Sequence, residues 1–138
     1  MPEIRLEIPL IPPSAGHYNA YRCVVPRHGK PFVQVYPTAE AKAWWGAVAA
    51  VAGGRTLAAD AYIVSYVVYL PNARRQDVDN FAKCSLDGLT RAGVISDDSA
   101  VIDLHGYKRI DRENPRTVII VRGVEAEEQD WLFEEATA

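Results

Sequence analysis

The sequence predicts an α/β fold: a single two-layer domain in which a mixed β-sheet carries two main helices. Three observations point there. The 138 residues, 49% of them hydrophobic, supply one core and are too few for two ordinary domains. An alternating strand pattern and a run dense in β-branched and aromatic residues bracket an alanine-rich helical stretch. The elements read β, ββ, α, β, α, β, β, an order that lays helices against a sheet.

Residues 3–10 alternate, with Ile4, Leu6, Ile8 and Leu10 on one side and Glu3, Arg5 and Glu7 on the other, as in a half-buried strand. Pro12-Pro13-Ser14 then opens a loop. Residues 21–25 and 32–36 flank a turn over 26–30 and read as a hairpin. Thr38 is a good N-cap after Pro37, and Gly53-Gly54 stops the helix that runs over 39–52. Residues 62–70 (YIVSYVVYL) read as a central strand covered on both faces. A polar loop, 71–76, leads to a second helix at about 78–92, with Asp77 as its cap and Gly93 as its stop. A turn over 94–99 and strands at 101–110 and 117–123 complete the domain, which spans 1–123 with an acidic tail over 124–138.

The charges are unevenly distributed. Fifteen Lys and Arg against eighteen Asp and Glu give a net −3. Six of the acids lie in the last fourteen residues, so residues 1–123 carry a net +3. Five more acids crowd between Asp77 and Asp98, and without them the remainder carries +8. A basic body around a small acidic knot is a different molecule from a uniformly acidic one. Uncharged stretches such as 43–54 and 61–73 fall short of a membrane span. The N-terminus lacks a signal-peptide pattern, and Cys23 and Cys84 stand far apart without metal-ligand spacing. A cytoplasmic protein with free, inert thiols and no membrane partner is therefore expected.

On the second helix Val78, Phe81, Ala82, Ser85, Leu89 and Ala92 form an apolar stripe, while Asp79, Asn80, Lys83, Asp87, Thr90 and Arg91 face away. Asp79, Lys83 and Asp87 are spaced by four, which alone describes a solvated face stitched by weak ion pairs. The surroundings argue for more. Asp77 and Asp79 follow a strand at a helix start, Arg74 and Arg75 border them, and Asp97-Asp98 lies in the turn after the same helix. Convergent carboxylates repel one another unless a cation joins them. Mg²⁺ suits such oxygen donors, and the absence of His and Cys from the cluster argues against zinc.

The stretch ARRQDVDNFAKCSLDGLTRAGVISDDS resembles the RusA family of Holliday junction resolvases. The shared pattern is an Arg-bearing loop, then D-x-D-N-x-x-K-x-x-x-D-x-L-x-x-A-G, then D-D before a strand. Asp77, Asp79, Asn80, Lys83, Asp87, Leu89, Ala92, Gly93, Asp97 and Asp98 fill it, and Pro12-Pro13-Ser14 matches a second family motif. Gly16 stands where the family usually has Asn, and the Arg run before Asp77 is thin. The resemblance implies a homodimeric, Mg²⁺-dependent endonuclease, with Mn²⁺ as an alternative ion, that cuts two opposed strands of a four-way DNA junction. It places Asp77, Asp79 and Asp98 as metal-binding catalytic acids and Lys83 as the catalytic lysine. Asn80, Asp87 and Asp97 are further matched positions. A bacterial or phage-encoded protein is implied.

Arg27, Lys30, Arg74, Arg75, Lys108 and Arg109 are the principal candidates for phosphate contacts, with Arg22, Arg112 and Arg116 beside them. Ser14, His17, Tyr18 and Tyr21 belong to or follow the Pro-Pro-Ser loop; packing or loop anchoring is the simpler role for the tyrosines, base stacking the sharper one. One of Trp44 and Trp45 is expected in the core. Two rival readings stand beside the nuclease: a branched-DNA binding protein with little or no cleavage, and a small metal-dependent nucleotide phosphohydrolase.

Overall fold

A computed structural model describes residues 1–125 and residue 134. The tail expected over 124–138 therefore lies mostly outside the described residues. Alternation in the first strand, β1 (Glu3–Ile8), buries Ile4, Leu6 and Ile8 and turns Glu3, Arg5 and Glu7 outward. β2 (Asn19–Val24) and β3 (Phe32–Pro37) pair as an antiparallel hairpin that forms a small sheet of its own. Helix α1 (Ala39–Ala52) starts where the Thr38 side chain accepts the Ala41 amide and ends at Gly53 in the left-handed conformation.

The main sheet adds β4 (Ala61–Leu70), β5 (Val101–Ile110) and β6 (Arg116–Val124) in the order β1-β6-β4-β5. β4 pairs antiparallel with β6 and parallel with β5, so the sheet is mixed as expected. The parallel pair needs a crossover, and helix α2 (Ala82–Arg91) supplies it. Trp44, Val48, Phe81 and Leu89 cover Leu6, Ile8, Tyr62, Val64, Tyr66, Val68, Ile119 and Val121, forming the core between helices and sheet. Among the described residues no helix covers the opposite sheet face, where Ser65, Val67 and Tyr69 stay half-buried. No described helix is long and apolar enough to cross a membrane.

The second helix begins later than the sequence suggests, and the cause is tertiary. Residues Val78–Phe81 form a 3-10 turn. The Val78 carbonyl, which would accept the Ala82 amide in an α-helix capped by Asp77, accepts the Tyr66 hydroxyl of the central strand at 2.7 Å instead. The Ala82 amide closes back onto the Asp79 carbonyl, and the Asp77 side chain makes no cap bond. This change of winding moves the buried stripe to Phe81, Cys84, Ser85, Gly88 and Leu89, leaving Val78, Ala82 and Ala92 half-buried.

Tyr66 therefore pins the turn that carries Asp79, and Gly106 on β5 leaves room for its ring. A Cβ at Gly106 would lie 2.5 Å from the Tyr66 hydroxyl oxygen and 2.6 Å from its Cζ. The ring cannot swing aside, because it is 2% exposed and its hydroxyl is engaged. Gly106→Ala is expected to destabilise the fold by about 1–3 kcal/mol. Urea unfolding checks this, and a variant as stable as the parent would refute the close packing.

Candidate active site

Lys83 is the centre of the acidic knot. It projects from the first turn of α2, with its side chain 64% exposed and its Nζ 3.0 Å from Asp87 Oδ1 and 4.0 Å from Asp98 Oδ2. Asp98 opens a 3-10 turn just before β5, and its Oδ1 accepts the Thr90 hydroxyl. Asp87, one helical turn after Lys83, accepts the Tyr18 hydroxyl on its other oxygen. Burial raises the Asp87 carboxyl's pKa, but the hydrogen bonds from Tyr18 and Lys83 outweigh it and hold the group below the usual carboxylate range. The hydrogen bond to Asp87 raises the Lys83 ammonium in turn, so the lysine stays charged.

Asp77 and Asp79 stand apart from that pairing. Both are exposed at the 3-10 turn, and among the described residues neither carboxylate takes a hydrogen bond or ion pair. Asp97 is also exposed and accepts its own neighbour, Ser99, which lowers its pKa. Among the described residues no three acids, histidines or cysteines close into one metal-binding group. The structure brings Asp98 to Lys83 and Asp87, with Asp77 and Asp79 on the turn preceding the same helix. The loop over 71–77 doubles back along the sheet, so this turn lies over the middle of β4, at Tyr66, and not beyond its end.

The cations assemble around the loop. Arg74 and Arg75 line a 470 Å³ cavity with Pro12, Pro13, Ser14, His17, Gln76 and Asn80, and Glu40 adds an acid to its wall. A second cavity of 290 Å³ lies on the other side of Arg74, lined by Asn72, Lys108 and Arg109 among others. Lys108 donates to the Gln76 carbonyl, and Arg109 bonds the Lys108 carbonyl. Arg27 and Lys30 lie instead in the turn of the β2–β3 hairpin, exposed. Arg22 bonds Gln34 within that hairpin, and Arg116 is spent on Glu7, Asp111 and the face of Tyr69. Arg116 is thus a structural cation.

This arrangement occupies the stretch that family comparison identifies. The family model described as Endodeoxyribonuclease RusA matches residues 21–122. The chain belongs to the RusA family. It is 32% identical over 125 residues to the crossover junction endodeoxyribonuclease RusA of Aquifex aeolicus (strain VF5), spanning 88% of this chain and 93% of that protein. The corresponding enzymes of Enterobacteria phage 82 and Escherichia coli (strain K12) are 45% and 42% identical over 40 residues, 29% of this chain and 33% of each of theirs.

Three side chains at this RusA-family site escaped sequence reasoning. Thr90 reads as an outward helix residue, yet it orients Asp98. Trp45 is the half-buried member of the tryptophan pair; it donates to the Tyr18 hydroxyl at 3.1 Å and lies 3.6 Å beneath the Arg91 guanidinium. Cys84 is fully buried beside Lys83, with its thiol donating to the Pro13 carbonyl at 3.0 Å, which ties the Pro-Pro-Ser loop to α2. The four-residue spacing shows the acids and the lysine but gives no sign of contacts arriving from distant segments.

The two cysteines consequently differ in reactivity. Burial, with a contribution from Asp87, pushes the Cys84 thiol up to about 12, whereas Cys23 lies exposed in the hairpin. Titration with a thiol-reactive chromophore is expected to label Cys23 quickly and Cys84 only on denaturation. Rapid labelling of both in the native protein would contradict the closed loop contact.

Proposed function

We propose that this chain is a Mg²⁺-dependent endonuclease that resolves four-way DNA junctions by hydrolysing a phosphodiester bond in each of two opposed strands. The observation that carries the reading is the meeting of Lys83 with Asp98, four residues after an outward-facing Asp79 and beside a loop of cations. RusA-family membership supplies the endodeoxyribonuclease chemistry, and the Aquifex aeolicus relative is named for crossover junctions.

The donor set fits a hard divalent ion: Asp77, Asp79 and Asp98 offer carboxylate oxygens only. Mg²⁺ holds one or two protein carboxylates and keeps several waters, so it needs no closed cage of acids. Two carboxylates without hydrogen-bond partners among the described residues, on a turn pinned to the sheet, match that habit. When bound, such an ion polarises a phosphoryl oxygen and lowers the pKa of a coordinated water. Lys83 places a fixed positive charge where negative charge grows on the phosphate or the leaving oxygen. Arg74, Arg75 and Lys108 meet the DNA backbone and set its register.

A junction offers two equivalent strands, and a symmetric dimer would offer two centres. The outer edge of β5, unpaired among the described residues and with Ile102, Leu104 and Ile110 exposed, is a surface that such pairing would cover.

Cleavage of a labelled four-way junction beside a linear duplex tests the reading. Paired, symmetric nicks are expected in the junction alone, lost with EDTA and in Asp79→Asn. Binding without cleavage would favour the branched-DNA binding protein, and neither activity would sink the assigned substrate. Replacing Arg74 and Arg75 together by Ala is expected to weaken junction binding and to flatten its salt dependence by about one unit of slope per residue. A salt series of binding isotherms reads this directly, and an unchanged slope would remove the loop from the DNA interface.

A further inference from the structure

The Lys83–Asp87 pair has the spacing of an ordinary surface pair on a helix, which is worth only a few tenths of a kcal/mol. Its environment is not ordinary. The Asp87 side chain is 20% exposed, and its second oxygen is taken by a hydroxyl from 69 residues earlier in the chain. That hydroxyl belongs to Tyr18, which is 6% exposed. A tyrosine hydroxyl carries one proton. Because the Tyr18 oxygen already accepts the Trp45 indole N–H at 3.1 Å, its own proton is directed to Asp87. The ring is held edge-on to Trp45, with centroids 5.9 Å apart at 81°. The backbone is held as well: the Tyr18 carbonyl accepts the amide of Thr38, the N-cap of α1, and the Thr38 hydroxyl donates to the adjoining His17 carbonyl at 2.8 Å.

We infer that Tyr18 and Asp87 are positioning residues for Lys83: Tyr18 fixes the plane of the Asp87 carboxylate, and Asp87 holds the Lys83 ammonium beside Asp98. This rests on the reading of Lys83 as the residue that meets the scissile phosphate. The physical need is clear. A lysine ammonium sits on a flexible four-carbon stem and fixes no direction by itself. One carboxylate oxygen held by an immobile phenol leaves the other oxygen aimed at a single place. Drawing Asp87 out of water also costs free energy that a merely solubilising ion pair would not incur. Lys83 remains largely exposed while its anchor is covered, as suits a cation that must be reachable by substrate yet held from behind.

The relay predicts loss of rate without loss of binding. Tyr18→Phe keeps the ring and its packing on Trp45 and removes only the directing proton. Single-turnover junction cleavage at saturating enzyme is expected to fall roughly 10-fold in Tyr18→Phe and roughly 100-fold in Asp87→Asn, with junction affinity in EDTA changed by less than about twofold. Because Tyr18 acts through Asp87, the double variant is expected to cleave no more slowly than Asp87→Asn alone. Wild-type cleavage by Tyr18→Phe, losses that multiply in the double variant, or affinity that falls as far as rate would each overturn the relay. Lys83→Met separates this inference from the reading beneath it. If Lys83→Met cleaves normally, the role of Lys83 fails and the relay with it. If Lys83→Met is inactive while Tyr18→Phe cleaves at the wild-type rate, only the relay fails.

Discussion

The constraint on which the site depends is the closeness of the two helices at Gly88. A Cβ there would lie 3.0 Å from Trp44 Nε1 and 3.0 Å from a Val48 methyl, so the helices meet at this distance only because residue 88 has no side chain. In the space gained, the Trp44 indole reaches across and donates to the Cys84 carbonyl at 2.8 Å. Adjacent helical residues point about 100° apart. Trp44 therefore grips the buried side of α2 while Trp45 reaches its outer edge, beneath Arg91 and against Tyr18. The rotation of α2 about its axis is fixed from two sides, and with it the direction in which Lys83 and Asp87 project.

Carboxylates crowded into so small a region must be compensated or left to attract a cation. The fold does not treat the acids alike. Asp87 and Asp98 are given donors from the chain itself: Tyr18 and Lys83 for the first and Thr90 for the second, which also has Lys83 as an ion-pair partner at 4.0 Å. Each such charge-assisted bond offsets the cost of desolvating a partly covered carboxylate. Asp77 and Asp79 receive nothing comparable among the described residues, although the turn that carries them is firmly attached through Val78 and Tyr66. Under the proposed function, these two are the carboxylates an external cation would join, and the division of the acids into two kinds follows from that difference.

How much of this is legible in the sequence depends on whether a local or a distant group decides each feature. Helix α1 is readable to the residue because Thr38 and Gly53 act within one turn of its ends. The central strand is readable because most of its side chains are β-branched or aromatic. The start of α2 is not, because a hydroxyl twelve residues earlier, on another element, captures the Val78 carbonyl. The inward turn of Cys84 and Gly88 follows from the same event and is equally hidden. At the site, the spacing of Asp77, Asp79, Lys83 and Asp87 is visible as a pattern. The separation of those acids into compensated and uncompensated is invisible, since Tyr18 and Thr90 show no sign in sequence of the partners they choose.

The loop before Asp77 couples the cationic and acidic halves of the site. Its last residue, Gln76, has its carbonyl held by Lys108 of β5, and two residues later the Val78 carbonyl is held by Tyr66 of β4. Both strands belong to one sheet and are paired in parallel register, Tyr66 opposite Gly106 and Val68 opposite Lys108. The segment from Gln76 to Val78 is thus clamped at both ends to neighbouring strands, with Asp77 between the clamps. Arg74 and Arg75 lie immediately before it, and Arg74 borders both cavities. Under the proposed function, a phosphate at these arginines would sit one residue, Gln76, from the first acid along the chain, so the spacing between binding charge and acids would be set by the sheet and not by a free loop. For a polyanion approaching a cluster of carboxylates, that rigidity matters more than the number of cations: attraction at the loop offsets repulsion at the acids only if the two are held in fixed register.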